Sequence, residues 1–207
     1  LIYAMLEYIP VPELDITSPL KMRVARSFDI NKPGSKVESL KGGVLGGAII
    51  CGTVCEKQKV WLYPGITKPI ELTVESLNSN GVPFKKVHAG GLIAIGTKLD
   101  PFYVSGDQMI GQLICEEGSK PLMTQELEVK YSKIERLLES NKEPLRCGEN
   151  IVLIIGTAAH LGTIQKIKGD ILSVTLKNQA VYYKGEKIAI SRLVNGRWRL
   201  SGYAETR

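Results

Sequence analysis

The sequence predicts an all-β protein built from two β-barrels, preceded by a short helical piece. Three observations carry this. Short apolar runs rich in Val, Ile and Leu recur along the chain, broken by turns rich in Gly, Pro, Asn or Lys. At 207 residues and 43% hydrophobic content, the chain can bury a sizeable core, in one large or two small domains. The segment "EEGSKP" at 116–121 separates one strand series from another.

The elements follow in order. "LIYAMLEYIPVPELD" places apolar residues at 1, 2, 5, 6 and 9, a helical spacing that Pro10 and Pro12 end. The chain begins at Leu1 without a methionine, so we expect this helix to close an element whose body lies upstream. "KMRVARSFDI" alternates as a strand, with Ala25-Arg26-Ser27 perturbing the period, and "NKPG" at 31–34 turns the chain. "GGVLGGAIICGTV", "KVWLYPG", "IELTVESL", "GGLIAIGTKL" and "DQMIGQLIC" read as the remaining strands of the first barrel. After the linker, "LMTQELEVKYSKIERLL" reads as a strand with an extended continuation. "ENIVLIIGTA", "HLGTIQKIKGDILSVTLKN", "EKIAISRLV" and "RWRLSGYAET" complete the second barrel.

The glycine-rich stretch "GGVLGGAIICG" at 42–52 invites a phosphate-binding reading. A phosphate loop needs GxxxxGK[ST] opening a helix, and a dinucleotide fingerprint needs a βαβ unit. Residues 42–52 offer neither lysine nor helix, and the apolar residues continue as strand. The stretch is therefore expected to be a barrel strand whose glycines permit coiling or close backbone approach. Cys51, Cys55, Cys115 and Cys147 make no zinc pattern with the scattered His88 and His160, and they sit in generic apolar contexts. They are expected to be core thiols rather than nucleophiles. Glu116 and Glu117 are expected to be solvated in the linker. No stretch reaches the roughly 18 consecutive apolar residues of a membrane helix.

Twenty-seven basic residues against 21 acidic give a net charge of +6, which permits contact with RNA or an acidic partner without proving it. Arg23, Arg26, Lys85, Lys86, His88, Lys98, Arg192, Arg197 and Arg199 could neutralise phosphates. Trp198, between two arginines, is expected to anchor the core of the last strand.

Several segments taken together resemble one family. "IPVPELDITSPLKMRVARSFDINKPG", "GGVLGGAIICG", "AGGLIAIGTKLDP", "GDQMIGQLI", "NIVLIIGTA" and "KIAISR…GRWRLSGYA" occur in the order of the gamma subunit of archaeal and eukaryotic translation initiation factor 2. The resemblance runs from Ile9 to Ala204. It implies barrels like domains 2 and 3 of elongation factor Tu-like translation GTPases, without the GTPase domain. Residues 1–11 then correspond to the end of a GTPase-domain helix and a linker, 12–117 to barrel domain II and 118–207 to barrel domain III. No phosphate loop, DxxG or NKxD motif is present. The resemblance thus implies no catalytic residue, metal or cofactor in this fragment, and GTP with Mg in the intact protein.

It further implies a cytoplasmic heterotrimer that carries methionyl initiator tRNA to the small ribosomal subunit. The alpha subunit would dock on the first barrel and the beta subunit on the missing GTPase domain. In eukaryotes a dedicated assembly chaperone would engage the second barrel. By analogy with elongation factor Tu, Lys86, His88 and Lys98 are expected at the acceptor end of the tRNA, with Arg26 and Phe28 as further candidates. The sequence departs from the family at "TVCEKQKVWLYPG", in the short loop between Gly65 and Pro69, and at Gln179 and Ala180. A standalone double-barrel adaptor binding only protein, and a Cys-dependent hydrolase, are the alternatives.

Overall fold

The computed structural model describes residues 1–10, 12–134 and 143–207. A helix, α1 (Ile2–Tyr8), forms at the predicted place, and none of its residues is buried. The first strand series comprises β1 (Lys21–Phe28), β2 (Val44–Cys51), β3 (Thr53–Cys55), β4 (Lys59–Tyr63), β5 (Ile70–Thr73), β6 (Ser76–Ser79), β7 (Val82–Phe84), β8 (Lys86–His88), β9 (Leu92–Gly96) and β10 (Leu113–Cys115). Eight of these form one curled antiparallel sheet in the order β5-β4-β10-β1-β2-β9-β6-β7, while β3 and β8 pair separately. Its core gathers Leu20, Met22, Val24, Leu45, Leu62, Leu77, Ile95 and Ile114, the inward half of each alternating run.

The perturbed period at Ala25 is a register shift. Val24 faces Gly47 and Arg26 faces Gly46, so Ala25 is the extra residue of a bulge that turns Arg26 outward. Gly47 sits opposite this bulge, where a Cβ would lie 1.9 Å from the Arg23 carbonyl oxygen, so no side chain fits. The glycine-rich stretch is thus a strand, paired with β1 on one side and β9 on the other. One expectation fails here. "DQMIGQLIC" is strand only over its last three residues, 113–115. Asp100 caps the short helix α2 (Pro101–Val104) by accepting from the Phe102 amide, with Pro101 at a position that needs no donor.

The second series is β11 (Leu122–Lys133), β12 (Asn150–Ile155), β13 (Ala158–Lys168), β14 (Ile171–Tyr182), β15 (Lys187–Val194) and β16 (Arg197–Thr206). These six close into a barrel, β11-β14-β13-β12-β15-β16, because β11 pairs with both β14 and β16. Leu127, Val129, Ile151, Leu153, Ile155, Ile164, Ile188 and Ile190 fill it. The extended continuation expected after Lys133 lies largely outside the described residues.

Arg23 joins the two series. It is only 4% exposed, and its guanidinium donates to both carboxylate oxygens of Glu186 at 2.6 Å and to the Val181 carbonyl at 3.0 Å. Thr157 adds a hydroxyl bond to the Val24 carbonyl at 2.6 Å. A buried guanidinium is costly unless its donors are satisfied, so Arg23 serves the seam and is removed from the pool of phosphate-binding cations. Arg192 leaves the pool the same way: it is buried and bonded to Glu149 and to the Glu143 and Pro144 carbonyls. Trp198 also departs from expectation. It is 45% exposed and takes no part in either core. It lies beyond the register shift at Ile190/Ser191, where β15 and β16 run past the packed part of the barrel.

Candidate functional site

On the outer face of the first sheet, one row of cross-strand neighbours runs Arg26, Gly46, Ala94, Asn78 and the next runs Phe28, Val44, Gly96, Ser76. Outward positions alternate with the buried ones, so the small residues at 46, 94 and 96 lie on the surface. With no bulky side chain there, the face is recessed. A depression of about 310 Å³ results, lined by Arg26, Phe28, Gly46, Asn78, Asn80 and Ala94.

A second depression, of about 220 Å³, lies beside it, lined by Phe84, Lys86, His88, Gly90 and Gly91. The two share Ser79, Leu92 and Ile93 as a common wall. Leu92 is 73% exposed at the crest of that wall. Lys86 and His88 reach the second depression because β8 pairs with β3, Cys55 facing Lys86 and Thr53 facing His88. The His88 Nδ1 donates to the Ala89 carbonyl at 2.9 Å, which fixes the orientation of the ring.

Four of the five sequence-predicted residues thus come together: Arg26 and Phe28 at one depression, Lys86 and His88 at the other. Lys98 does not join them. It follows the far end of β9, and its ammonium lies 3.5 Å from Glu75, which also accepts from Lys57 at 2.7 Å. The Lys57 hydrogen bond, with lesser help from Lys98, holds the Glu75 carboxyl below its ordinary value. Arg26 is exposed, and its Nε donates to Asp107 at 2.9 Å. That bond, with one from the Ser27 amide, lowers the Asp107 carboxyl. Asp107 therefore aims the guanidinium while staying charged.

Sequence reasoning missed the recess itself. Gly46, Ala94, Asn78 and the Leu92 crest carry no chemical motif. A signal was nonetheless present, since Gly46 occupies an outward strand position where a Cβ would meet nothing closer than 3.7 Å.

The expectation of four core thiols holds for Cys51 and Cys115, while Cys55 is half-buried and Cys147, in the turn before β12, is exposed. Burial pushes the Cys115 thiol up to about 11, and it raises Cys51, whose thiol bonds the Pro19 carbonyl. A thiol activated for attack needs the opposite shift. A nucleotide does not fit the glycine-rich stretch either. The backbone of β2 is committed to ladders on both sides, so its amides cannot form a phosphate nest. Among the described residues, no helix is long and apolar enough to cross a membrane.

Two β-barrels in this order, led by a helix, define the architecture of elongation-factor-like translation factors. The chain is similar to the bacterial selenocysteine-specific elongation factor EF-Sec, with a TM-score of 0.72 and 26% identity, over 99% of this chain and 30% of that one. The translation elongation factor SelB from Methanococcus maripaludis shares the fold with a TM-score of 0.75 at 15% identity, over 100% of this chain and 46% of that one. Residues 125–206 match the family described as "Initiation factor eIF2 gamma, C terminal". The translation initiation factor 2 subunit gamma of Methanocaldococcus jannaschii is 38% identical over 98% of this chain and 53% of its own length. The Pyrococcus furiosus protein of the same name is 37% identical over the same shares. Residues 125–206 carry the C-terminal domain of the translation initiation factor 2 gamma family, and the chain spans about half the length of the curated gamma subunits it matches.

Proposed function

We propose that this chain is the RNA- and subunit-holding part of a factor that delivers methionyl initiator tRNA to the small ribosomal subunit. The observation that carries the reading is the pair of adjoining depressions bordered by Arg26, Phe28, Lys86 and His88. An acceptor end presents phosphates, which call for exposed cations, and a terminal base with an esterified apolar side chain, which call for a shallow slot. Lys86 and Arg26 supply the first. Phe28, over the Gly46–Ala94 floor, supplies the second. Lys98 enters only as a neighbouring charge.

In this reading residues 12–117 and 118–207 act as two barrel domains, and α1 continues from a GTP-binding domain in the intact protein. That domain would hold GTP and Mg and complete the slot, making tRNA binding depend on the nucleotide. The alpha subunit would dock on the first barrel and the beta subunit on the GTP-binding domain. The complex would work in the cytoplasm.

The test is protection of the methionyl ester of initiator tRNA from hydrolysis by the intact gamma subunit with GTP. Phe28→Ala and Lys86→Gln should each weaken protection by roughly tenfold, the scale of one lost base stack or phosphate contact. Native protection in both variants would remove the reading and leave the protein-binding adaptor. Retention of the C-terminal domain of the alpha partner on immobilised first barrel checks the docking assignment.

A further inference from the structure

The end of the β15–β16 hairpin, in the second barrel, uses none of the residues above. Asn195 and Gly196 join the strands with φ of 49° and 74°, the left-handed pair that a two-residue type I′ turn requires. In the hairpin register Trp198 faces Leu193 and Leu200 faces Ser191, on one side of the ribbon. The indole therefore stands between two half-exposed leucines, with a free face to solvent. Arg197 faces Val194 and Arg199 faces Arg192, on the other side.

The charges nearby decide what this surface attracts. Arg192 is neutralised by Glu149, and Glu143 is paired with Arg146 at 3.0 Å. Arg197 and Arg199 make no ion pair with a described residue. The exposed indole stands on one face of a narrow two-stranded ribbon, and two long guanidinium side chains stand on the other, one residue to each side of it along β16. A single strand that stacks a base on the indole and passes over the ribbon's edge brings its phosphates within reach of those cations. A duplex keeps its bases stacked and hidden, so the match is to single-stranded RNA.

We infer that the tip of the β15–β16 hairpin is a docking site for single-stranded RNA, with Trp198 stacking on an unpaired base and Arg197 and Arg199 holding phosphates of the same strand from the ribbon's other face. The inference shares with the proposed function only the premise that RNA is a ligand, and it concerns the other barrel.

Titration of the chain with a short oligouridylate, followed by tryptophan fluorescence, tests it. Binding should quench the emission saturably. Trp198→Ala should abolish the quench and, in a competition assay, weaken binding roughly tenfold, while Trp198→Phe retains most of the affinity. Arg197→Gln with Arg199→Gln should reduce the slope of log affinity against log salt by about 1.4, two single-strand phosphates. Lys120→Gln, an exposed cation outside both sites, should change neither. Equal affinity of native and Trp198→Ala protein overturns the inference and leaves the Leu193–Trp198–Leu200 face to a protein partner. An unchanged salt slope in the double variant overturns the role of the arginines. Failure of ester protection to respond to Phe28→Ala, with quenching intact, removes only the acceptor-end reading; the reverse pattern removes only this one.

Discussion

The two barrels handle their sheet edges and their outer faces differently. The second closes on itself through β11, so none of its six strands is an edge. The first leaves β5 and β7 at the ends of an eight-stranded sheet, and β7 blunts its exposed edge with Pro83 between Val82 and Phe84. The outward rows differ as well. In the first barrel they carry Gly46, Ala94 and Gly96, and the face sinks into two depressions. In the second, β13, β12, β15 and β16 place Leu161, Val152, Ser191 and Leu200 in one row, and Ala159, Ile154, Ala189 and Tyr203 in the next. These two rows are largely apolar and hold no charged side chain. A recess able to hold one end of a nucleic acid needs small residues facing out and a bulge to re-aim its cation. The closed barrel sets its small outward residues, Ser191, Ala159 and Ala189, among Leu161, Val152, Ile154, Leu200 and Tyr203, and neither row carries a cation.

Substitutions can break this contrast, most severely at Gly47. Gly47→Val would drive a side chain into the Arg23 carbonyl, which the paired backbone cannot yield. We expect a loss of about 3 kcal/mol or more in the first barrel. Denaturation followed at Trp61 should shift strongly, while Trp198 still reports a cooperative second barrel. Simultaneous loss of both signals would show that neither barrel folds without the other.

Arg23→Met should come next. Removing one partner of a buried pair leaves Glu186 uncompensated and costs on the order of 3 kcal/mol. The effect falls on the seam, so the expected signature is a split of one thermal transition into two. Arg23→Met combined with Glu186→Leu should recover part of the loss. A single sharp transition in Arg23→Met would mean that other seam contacts suffice to couple the barrels.

The smallest effect is a pH dependence centred on His160. Burial is the leading cause that lowers its pKa, with the nearby Arg23 charge adding to it and a hydrogen bond involving Asn178 opposing it. A histidine whose folded value is depressed binds its proton more readily when unfolded. Stability should therefore be full above the ordinary value of 6.5 and fall as pH drops through 6.5 toward the folded value. His160→Gln should flatten that slope in urea titrations across the window, and an unaltered slope would assign it to another group.

Much of the fold was legible in the sequence. The strand runs, the break at 116–121 and the helix ended by Pro10 all follow from periodicity and turn chemistry, which are local. Even the bulge announced itself as a broken alternation at Ala25. The site was half legible. Cations and an aromatic can be nominated from sequence, but not sorted. Arg23 and Arg26 look alike along the chain. One is buried against a residue 163 positions away, and the other is exposed beside a depression. Trp198 looked like a core anchor because sequence does not say where a hairpin outruns its barrel.

The sequence alone thus determined the class of fold, the absence of a phosphate-loop pattern in "GGVLGGAIICG" and the family resemblance, because each is written in neighbouring residues. Only the tertiary structure decided which cations are available and where the surface sinks. Burial and pairing depend on what another segment brings alongside: for Arg23 the partner belongs to the other barrel, for Arg26 and Arg192 to the same one.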